Sequence, residues 1–186
     1  MFLSGAAGNL NTITGRELLR EEVKRVWDID RSEVIENIYY LENGKLVLKP
    51  ETYHMTGWPP GEAELYTTIL LDCFDRGGWF YGLFDEVKLV GVTILENKFI
   101  GKNKNLLQLK FLHVSSAYRK QGLGHRLFEL SKVKAQEKGA KGLYISATPS
   151  ENTINFYLHL GCVRTQHPDP ELFALEPEDI HLECTI

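Results

Sequence analysis

The spacing of apolar residues along the chain changes several times, and each spacing indicates a different element. Residues 10–14 alternate weakly and predict a first strand, whereas apolar side chains at helical intervals predict a helix over residues 15–27. Two alternating segments then flank Asn43-Gly44, the dipeptide preferred in tight turns between antiparallel strands. An additional hairpin is therefore expected near residues 34–49.

The middle of the chain predicts one helix followed by three strands. Gly and Pro residues at 56–61 indicate a loop, and Gly77-Gly78 ends the helix that follows this loop. The expected elements are a helix at residues 62–76, strands at 79–84, 88–95 and 106–114, a turn at 85–87 and a polar loop at 97–105.

The last third of the chain predicts two more helices and three more strands. A broad apolar stripe indicates a helix over residues 122–138, and Lys138-Gly139 suits its C-terminus. Ser150 has a residue type preferred at a helix N-cap, so a short helix is expected after it. The remaining expected elements are strands at 143–147, 162–165 and 180–184 and a short helix at 152–160.

This order of strands and helices predicts an α/β fold, in which helices pack on both faces of a mixed sheet. The chain has 186 residues, and it contains no repeat and no linker long enough to divide it. We therefore expect residues 1–186 to form a single domain, with the hairpin as an addition.

Composition and charge narrow the classes of partner. An apolar share of 43% and a charged share of 25% are typical of a globular protein. The net charge of −4 provides no basic field, so neither nucleic acid nor a membrane is expected as a partner. The N-terminus lacks the pattern of a signal peptide, and no apolar run approaches the ~20 residues that span a bilayer. A cytoplasmic location is expected.

The cysteines and histidines do not indicate a metal site. Cys73, Cys162 and Cys184 stand far apart, without a CxxC pair or a His/Cys cluster. Buried, reduced thiols without a catalytic role are expected, and no metal is expected.

The candidate chemistry lies where the strand at residues 106–114 gives way to a helix through Gly122-x-Gly124. Glycines allow the backbone to approach a ligand closely, and the first amides of a helix bind phosphate groups. The spacing fits neither a P-loop nor the dinucleotide-binding pattern, since Leu127 stands where a third small residue belongs. Two glycines alone are also compatible with an ordinary strand–helix corner.

Two motifs together resemble the GNAT superfamily of N-acetyltransferases. The first is Arg119-x-x-Gly122-x-Gly124, directly after a strand that ends in Leu112-His113-Val114. The second is Asn155-Phe156-Tyr157-Leu158-His159-Leu160-Gly161-Cys162, which is similar to the family's FYxxLGF helix end. The order of elements from about residue 61 onward matches the family core, and the first sixty residues match it only loosely.

The resemblance implies acetyl-CoA as cosubstrate and a sheet that splays at the strand before the phosphate turn. The exposed backbone of Leu112, His113 and Val114 would pair with the pantetheine arm, as a strand adds to a free edge. Arg119 would support the loop, and the amide of Val114 would stabilise the oxyanion. The resemblance assigns the pyrophosphate to the segment Lys120, Gln121, Gly122, Leu123, Gly124 and His125, and a coenzyme contact to Asn152.

Tyr157 occupies the position of the family's general acid, although it is also compatible with a core aromatic. Gln108 and Ile145 occupy the two positions at which some members carry a basic Glu, and neither side chain accepts a proton. The candidates for the base are His113, Asp85, Glu62, or water acting on an amine of low pKa.

The resemblance thus implies acetyl transfer from acetyl-CoA to a primary amine of a small molecule or peptide. The alternative is a domain of the same fold that binds acyl-CoA without catalysis, as a sensor or interaction module. A nucleotide-binding regulator is disfavoured because both phosphate motifs fail. A homodimer is compatible with the fold, and the sequence does not identify the acceptor.

Overall fold

The computed structural model describes residues 12–186, whose strands form one seven-stranded and one two-stranded sheet. The strands are β1 Ile13–Glu17, β2 Glu33–Glu42, β3 Lys45–Met55, β4 Trp79–Asp85, β5 Lys88–Ile100, β6 Leu106–Val114, β7 Gly142–Ala147, β8 Val163–Arg164 and β9 Ile180–Thr185. The order in the larger sheet is β1-β4-β5-β6-β7-β9-β8, and only β6 and β7 pair in parallel within it.

Helices cover both faces of the larger sheet, as the sequence predicts. The helices are α1 Glu62–Asp75, α2 Leu123–Glu137, α3 Glu151–His159 and α4 Pro170–Leu175, with 3-10 helices at Arg20–Asp28 and Ser116–Tyr118. On one face α2 and α3 bury Phe128, Ile154 and Tyr157 against the strands. On the other face α1 and the first 3-10 helix bury residues such as Leu70 and Val26.

The helix predicted for residues 15–27 is wrong. Residues 13–17 pair with β4, and Gly15 provides the space that the Tyr81 side chain passing over it needs, since an added Cβ would lie 2.5 Å from the Tyr81 hydroxyl. A 3-10 helix replaces the rest, and the Glu22 carboxylate accepts from the Leu19 amide at its start. Long-range strand pairing therefore overrides the local helical spacing. Of the strand predicted at 10–14, residues 10 and 11 lie outside the described residues.

The polar loop predicted at 97–105 is too long. Strand β5 continues to Ile100 after a register shift between Leu95 and Phe99, and only residues 101–104 form the turn. The Glu96 carboxylate at this irregularity accepts two hydrogen bonds from Arg76, at 2.9 and 3.1 Å. The irregularity hides the strand in the sequence, because it interrupts the alternation of apolar and polar residues. The short helix α4 has no counterpart among the predicted elements.

The predicted hairpin is confirmed, and it extends over β2 and β3. Asn43 and Gly44 both have positive φ, 48° and 76°, as a two-residue primed turn requires. The hairpin packs against the beginning of α3, where the Tyr39 amide donates to the Pro149 carbonyl at 2.8 Å and the Tyr39 hydroxyl to Asn155 at 2.8 Å. These bonds fix β2 beside the end of β7.

The larger sheet splays between β6 and β7. The two strands pair only from Leu106 to Gln108, although β6 continues to Val114 and β7 to Ala147. The edge of β6 beyond Gln108 therefore has no neighbouring strand on that side. Within residues 12–186, no helix is long and apolar enough to cross a membrane.

Candidate active site

A cavity of about 950 Å³ opens where β6 and β7 separate. One wall is β6 from Leu109 to Val114, and the opposite wall is formed by Ile145, Ser146 and Ala147 of β7. The cavity is further lined by the beginnings of α2 and α3 and by residues from β2, α1 and the segment before β9. The splay thus creates a cavity that most of the predicted site residues line.

The free edge of β6 presents unpaired backbone to this cavity. The Ser115 amide donates to Val90 at 2.9 Å, which places it on the β5 side of the strand. Because backbone groups alternate in direction along an antiparallel strand, the amides of Val114 and Leu112 point to the side that β7 has left. Both residues line the cavity, as does His113. The edge can therefore pair with an extended ligand.

The turn before α2 is wound into the left-handed region. Lys120 has φ 59° and Gly122 has φ 81°, and Gly122 is the N-cap of the 15-residue helix α2. A Cβ added at Gly122 would meet no atom within 4 Å, so the space beside this backbone is open. Unpaired amides beside open space suit a pyrophosphate. The turn therefore suits the phosphate groups of a ligand.

The residues predicted to hold the pyrophosphate do not all face the cavity. Lys120, Gly122, Gly124 and His125 line it. Gln121 and Leu123 do not line it. The side-chain amide of Gln121 donates to the Ala117 carbonyl at 3.2 Å, and the Leu123 side chain is buried in the core. Any contact from these two residues is confined to their backbone.

Arg119 lines the cavity and also supports the turn. Its Nε donates to the Val114 carbonyl at 2.9 Å, and its two terminal nitrogens donate to the carbonyls of Ser32 at 3.0 Å and Asp30 at 3.3 Å. The guanidinium therefore joins the end of β6 to the segment before β2, and this agrees with the supporting role implied by the resemblance.

Tyr157 lies within the cavity wall with an unused hydroxyl. Its side chain is only 6% exposed and packs against Phe128 and Phe156 at ring-centroid distances of 6.1 and 5.1 Å. Within residues 12–186 the hydroxyl has no hydrogen-bond partner. Burial raises the pKa of Tyr157, so the phenol keeps its proton near neutral pH. The residue is thus part of the core and also holds a proton at the cavity.

Two of the candidates for the base do not suit that role. Burial, aided by Arg31 and Arg119, lowers the pKa of His113 to about 3, and its ring packs edge-on against Trp58. An imidazole of such low basicity does not hold the proton of an amine near neutral pH. Asp85 does not line the cavity, and its carboxylate accepts from the Tyr118 hydroxyl at 2.7 Å. The expectations for these two residues are therefore not supported.

Three carboxyl groups line another part of the cavity. Glu62 of α1, the third candidate for the base, is one of them, whereas Glu176 and Asp179, which precede β9, were not found from the sequence. Ser146 of β7 donates to Asp179 at 3.0 Å, and the Tyr66 hydroxyl donates to Glu176 at 2.9 Å. Burial and the adjacent Glu176 carboxyl raise the pKa of Asp179 to about 7. A group with this pKa can exchange a proton at neutral pH.

Asn152 and Ser150 also line the cavity, at the start of α3. The Asn152 amide donates to Glu33 at 2.8 Å, so its side chain is engaged within the protein. Ser150 is the N-cap of α3 and accepts from the Thr153 amide.

Burial raises the pKa of the Cys73 thiol to about 12, and all three cysteines are free and buried.

Comparison with known proteins identifies the family. The model of the acetyltransferase (GNAT) family matches residues 36–162, which is more than half of the chain and includes most of the hairpin. A comparison with curated proteins gave no match.

Solved acetyltransferase structures share the fold. A nourseothricin acetyltransferase has a TM-score of 0.70 at 15% identity, covering 94% of this chain and 98% of its own. A putative streptothricin acetyltransferase from Bacillus anthracis, in complex with acetyl coenzyme A, has a TM-score of 0.68 at 16% identity, covering 94% of this chain and 98% of its own. The PaiA N-acetyltransferase of Thermoplasma acidophilum, in complex with coenzyme A, has a TM-score of 0.61 at 17% identity, covering 94% of this chain and 99% of its own. The chain therefore belongs to the GNAT family of acetyltransferases.

Proposed function

We propose that this protein transfers the acetyl group of acetyl-CoA to a primary amine of a small molecule or peptide. The observation that carries the proposal is the coincidence of three features in one cavity: the free edge of β6, the open turn at Gly122 and the unpartnered hydroxyl of Tyr157. Each feature suits a different part of the same cosubstrate.

The backbone would hold acetyl-CoA along the cavity. Leu112 and Val114 would pair with the amides of the pantetheine arm, as an added strand does. The first amides of α2, beside Lys120, Gly122 and Gly124, would accept the pyrophosphate, and Lys120 and His125 would add charged contacts. When bound, acetyl-CoA supplies a thioester carbonyl as the electrophile.

Two groups of this chain would then assist the reaction. The Val114 amide points into the cavity and would donate to the carbonyl oxygen as negative charge develops on it. Tyr157 would donate its proton to the departing sulfur, because its raised pKa keeps the phenol protonated until that charge forms. Both groups are preset by the fold, so they need no rearrangement during the reaction.

A non-catalytic acyl-CoA sensor was the alternative, because no base followed from the family motif. The carboxyls of Glu62, Glu176 and Asp179 in the same cavity remove this objection. The enzymatic function is therefore favoured over the sensor.

Calorimetry with acetyl-CoA, together with release of the coenzyme A thiol over a panel of primary amines, tests the proposal. We expect acetyl-CoA to bind, NAD and ATP to bind far more weakly, and thiol release to accelerate with at least one amine. Binding without thiol release from any amine would support the sensor instead, and no binding would contradict both.

A further inference from the structure

We infer that the acidic end of the cavity is the acceptor site, that Asp179 takes the proton of the reacting ammonium, and that Glu62 and Glu176 favour an acceptor with a second positive charge. This inference rests on the proposed acetyl transfer and names its acceptor class and its base. This acidic end consists of Glu62, Glu176 and Asp179.

The position of the acidic end suits an acceptor. It lines the same cavity as Val114 and Tyr157, and its residues come from α1 and from the segment before β9, whereas the phosphate turn leads into α2. The basic residues Lys120 and His125 lie at that turn, at the start of α2. Acetyl-CoA and a cationic amine would therefore enter regions of opposite charge.

The charges at the acidic end are not balanced within the protein. Arg31 is the cation there among the described residues, and its guanidinium lies 3.7 Å from Glu62 while stacking over the Trp58 ring at 4.5 Å. The other neighbours, Tyr66 and Ser146, are neutral donors. Three carboxyls against one guanidinium leave room for added positive charge. Burial raises the pKa of Glu62, as expected for a carboxyl without full compensation.

The unpartnered hydroxyl of Tyr157 is available to a ligand that lies between the acidic end and the phosphate turn. Its side chain is only 6% exposed, but the hydroxyl itself is accessible from the cavity and can donate a hydrogen bond there. Tyr157 and Asp179 line the same cavity, so a substrate between them can contact both.

Asp179 is the carboxyl best suited to accept a proton. It lies beside the Glu176 carboxyl, and the Ser146 hydroxyl donates to one of its oxygens at 3.0 Å. Burial and this neighbouring acid raise the pKa of Asp179 to about 7, against the weaker opposite effect of Arg31. Arriving positive charge favours the ionised carboxyl, so Asp179 is in the form that accepts a proton when the ammonium binds.

The proton balance of the step is complete without a further reactant. One ammonium proton passes to the Asp179 carboxylate. The lone pair that this leaves on nitrogen attacks the thioester carbonyl carbon and forms the C–N bond. The C–S bond breaks with its electron pair on sulfur, which takes the proton of Tyr157. The second nitrogen proton restores Tyr157 through solvent, and Asp179 releases its proton to solvent.

Three probes of matched length test the acceptor class: 1,5-diaminopentane, pentylamine and 5-aminopentanoate. Calorimetry on the complex with coenzyme A should give the diamine about tenfold higher affinity than pentylamine, and the carboxylate probe the weakest binding. Glu176→Gln should reduce the preference for the diamine by several-fold. The exposed Glu178, which does not line this cavity, provides the control Glu178→Gln, which should leave the preference unchanged. Equal affinity for diamine and monoamine, or no binding of either, would overturn the acceptor site.

Asp179→Asn tests the base. We expect kcat with 1,5-diaminopentane to fall about a hundred-fold, acetyl-CoA affinity to stay unchanged, and the rise of kcat/KM with pH near 7 to disappear. A variant that keeps the wild-type rate and pH profile would overturn the role of Asp179. Acetyl-CoA binding and thiol release by the wild-type protein report separately on the proposed function. Wild-type thiol release with an unaffected Asp179→Asn variant therefore refutes this inference alone.

Discussion

The guanidinium of Arg119 holds the carbonyl oxygen of Val114 at 2.9 Å. The same residue Val114 directs its amide toward the cavity at the free edge of β6, where the proposed function needs a donor. Arg119 also reaches the carbonyls of Ser32 and Asp30, which precede β2. Arg119, which itself lines the cavity, can therefore set the direction of the Val114 amide.

Arg119→Lys should weaken both the fold and the binding of acetyl-CoA. A single ammonium cannot bridge carbonyls from two segments as the planar guanidinium does, so the free energy of unfolding should fall by about 1–2 kcal/mol. Urea denaturation measures this loss, and calorimetry should show acetyl-CoA affinity reduced several-fold. Arg126→Lys is the control, because Arg126 makes a single bond at 3.4 Å to Ile13 and does not line the cavity. Equal stability of the two variants would argue against the supporting role.

Gly122→Ala should weaken acetyl-CoA binding beyond its effect on stability. The left-handed φ of 81° disfavours alanine by about 1 kcal/mol, and the added methyl group would also occupy the open space beside the turn. Gly139→Ala is a matched control, because Gly139 has φ 86°, no atom within 4 Å of its Cβ position, and a place at the opposite end of α2. Both variants should lose similar thermal stability, whereas only Gly122→Ala should lose coenzyme affinity in calorimetry. Parallel affinities would move the phosphate site elsewhere.

Features set by local sequence could be predicted, whereas features set by distant contacts could not. Asn43-Gly44 fixes the hairpin turn through its own backbone preference, and Gly122 marks the phosphate turn for the same reason. The strand at Ile13–Glu17 depends on pairing with β4, which no local spacing reveals. Helical periodicity in that region comes from Leu18, Val23 and Val26, which are buried but lie in the link after β1 and in a 3-10 helix.

The site divides in the same way. The family motif points to Tyr157 and Val114, while Asp179 follows Pro177-Glu178 in a polar segment that looks like exposed surface. Its raised pKa arises from burial beside Glu176, and burial depends on tertiary contacts. His113 shows the reverse case, because its position in β6 suggests a base and its surroundings lower its pKa to about 3.

Asp179→Asn should change stability in a pH-dependent way. The pKa of Asp179 is raised from its usual value to about 7, so the folded protein keeps a proton that the unfolded chain has released between about pH 4 and pH 7. Wild-type stability should therefore fall as pH rises through this window. Asparagine removes this loss, so the variant should be more stable than wild type by about 1 kcal/mol at pH 8, after allowance for solvent screening, and similar at pH 4.

Urea denaturation at both pH values measures this difference, with Glu178→Gln as the exposed control. A variant less stable than wild type at pH 8 would mean that the ionised carboxyl is stabilised by its surroundings. Asp179 would then be poorly suited to hold a substrate proton.

Tyr157→Phe should slow acetyl transfer by about a hundred-fold while sparing stability and acetyl-CoA affinity. The hydroxyl has no partner within residues 12–186, so its removal breaks no internal hydrogen bond, and the ring that packs against Phe156 remains. Its proposed role begins only when the thiolate forms, which confines the loss to kcat. Single-turnover thiol release and calorimetry separate the two quantities.

Tyr144 provides the matched control for this prediction, because it is also buried but its hydroxyl is engaged by His181 at 2.6 Å and by the Asp169 amide at 2.8 Å. Tyr144→Phe should lower the free energy of unfolding by about 1–3 kcal/mol through the loss of these bonds and change kcat little. Both substitutions remove a hydroxyl oxygen, from an unpartnered site in Tyr157 and from a hydrogen-bonded site in Tyr144. Tyr157→Phe should therefore lower kcat and spare stability, whereas Tyr144→Phe should lower stability and spare kcat. Equal turnover by wild type and Tyr157→Phe would leave Tyr157 as a core aromatic, whereas a large loss of acetyl-CoA affinity would make it a binding residue.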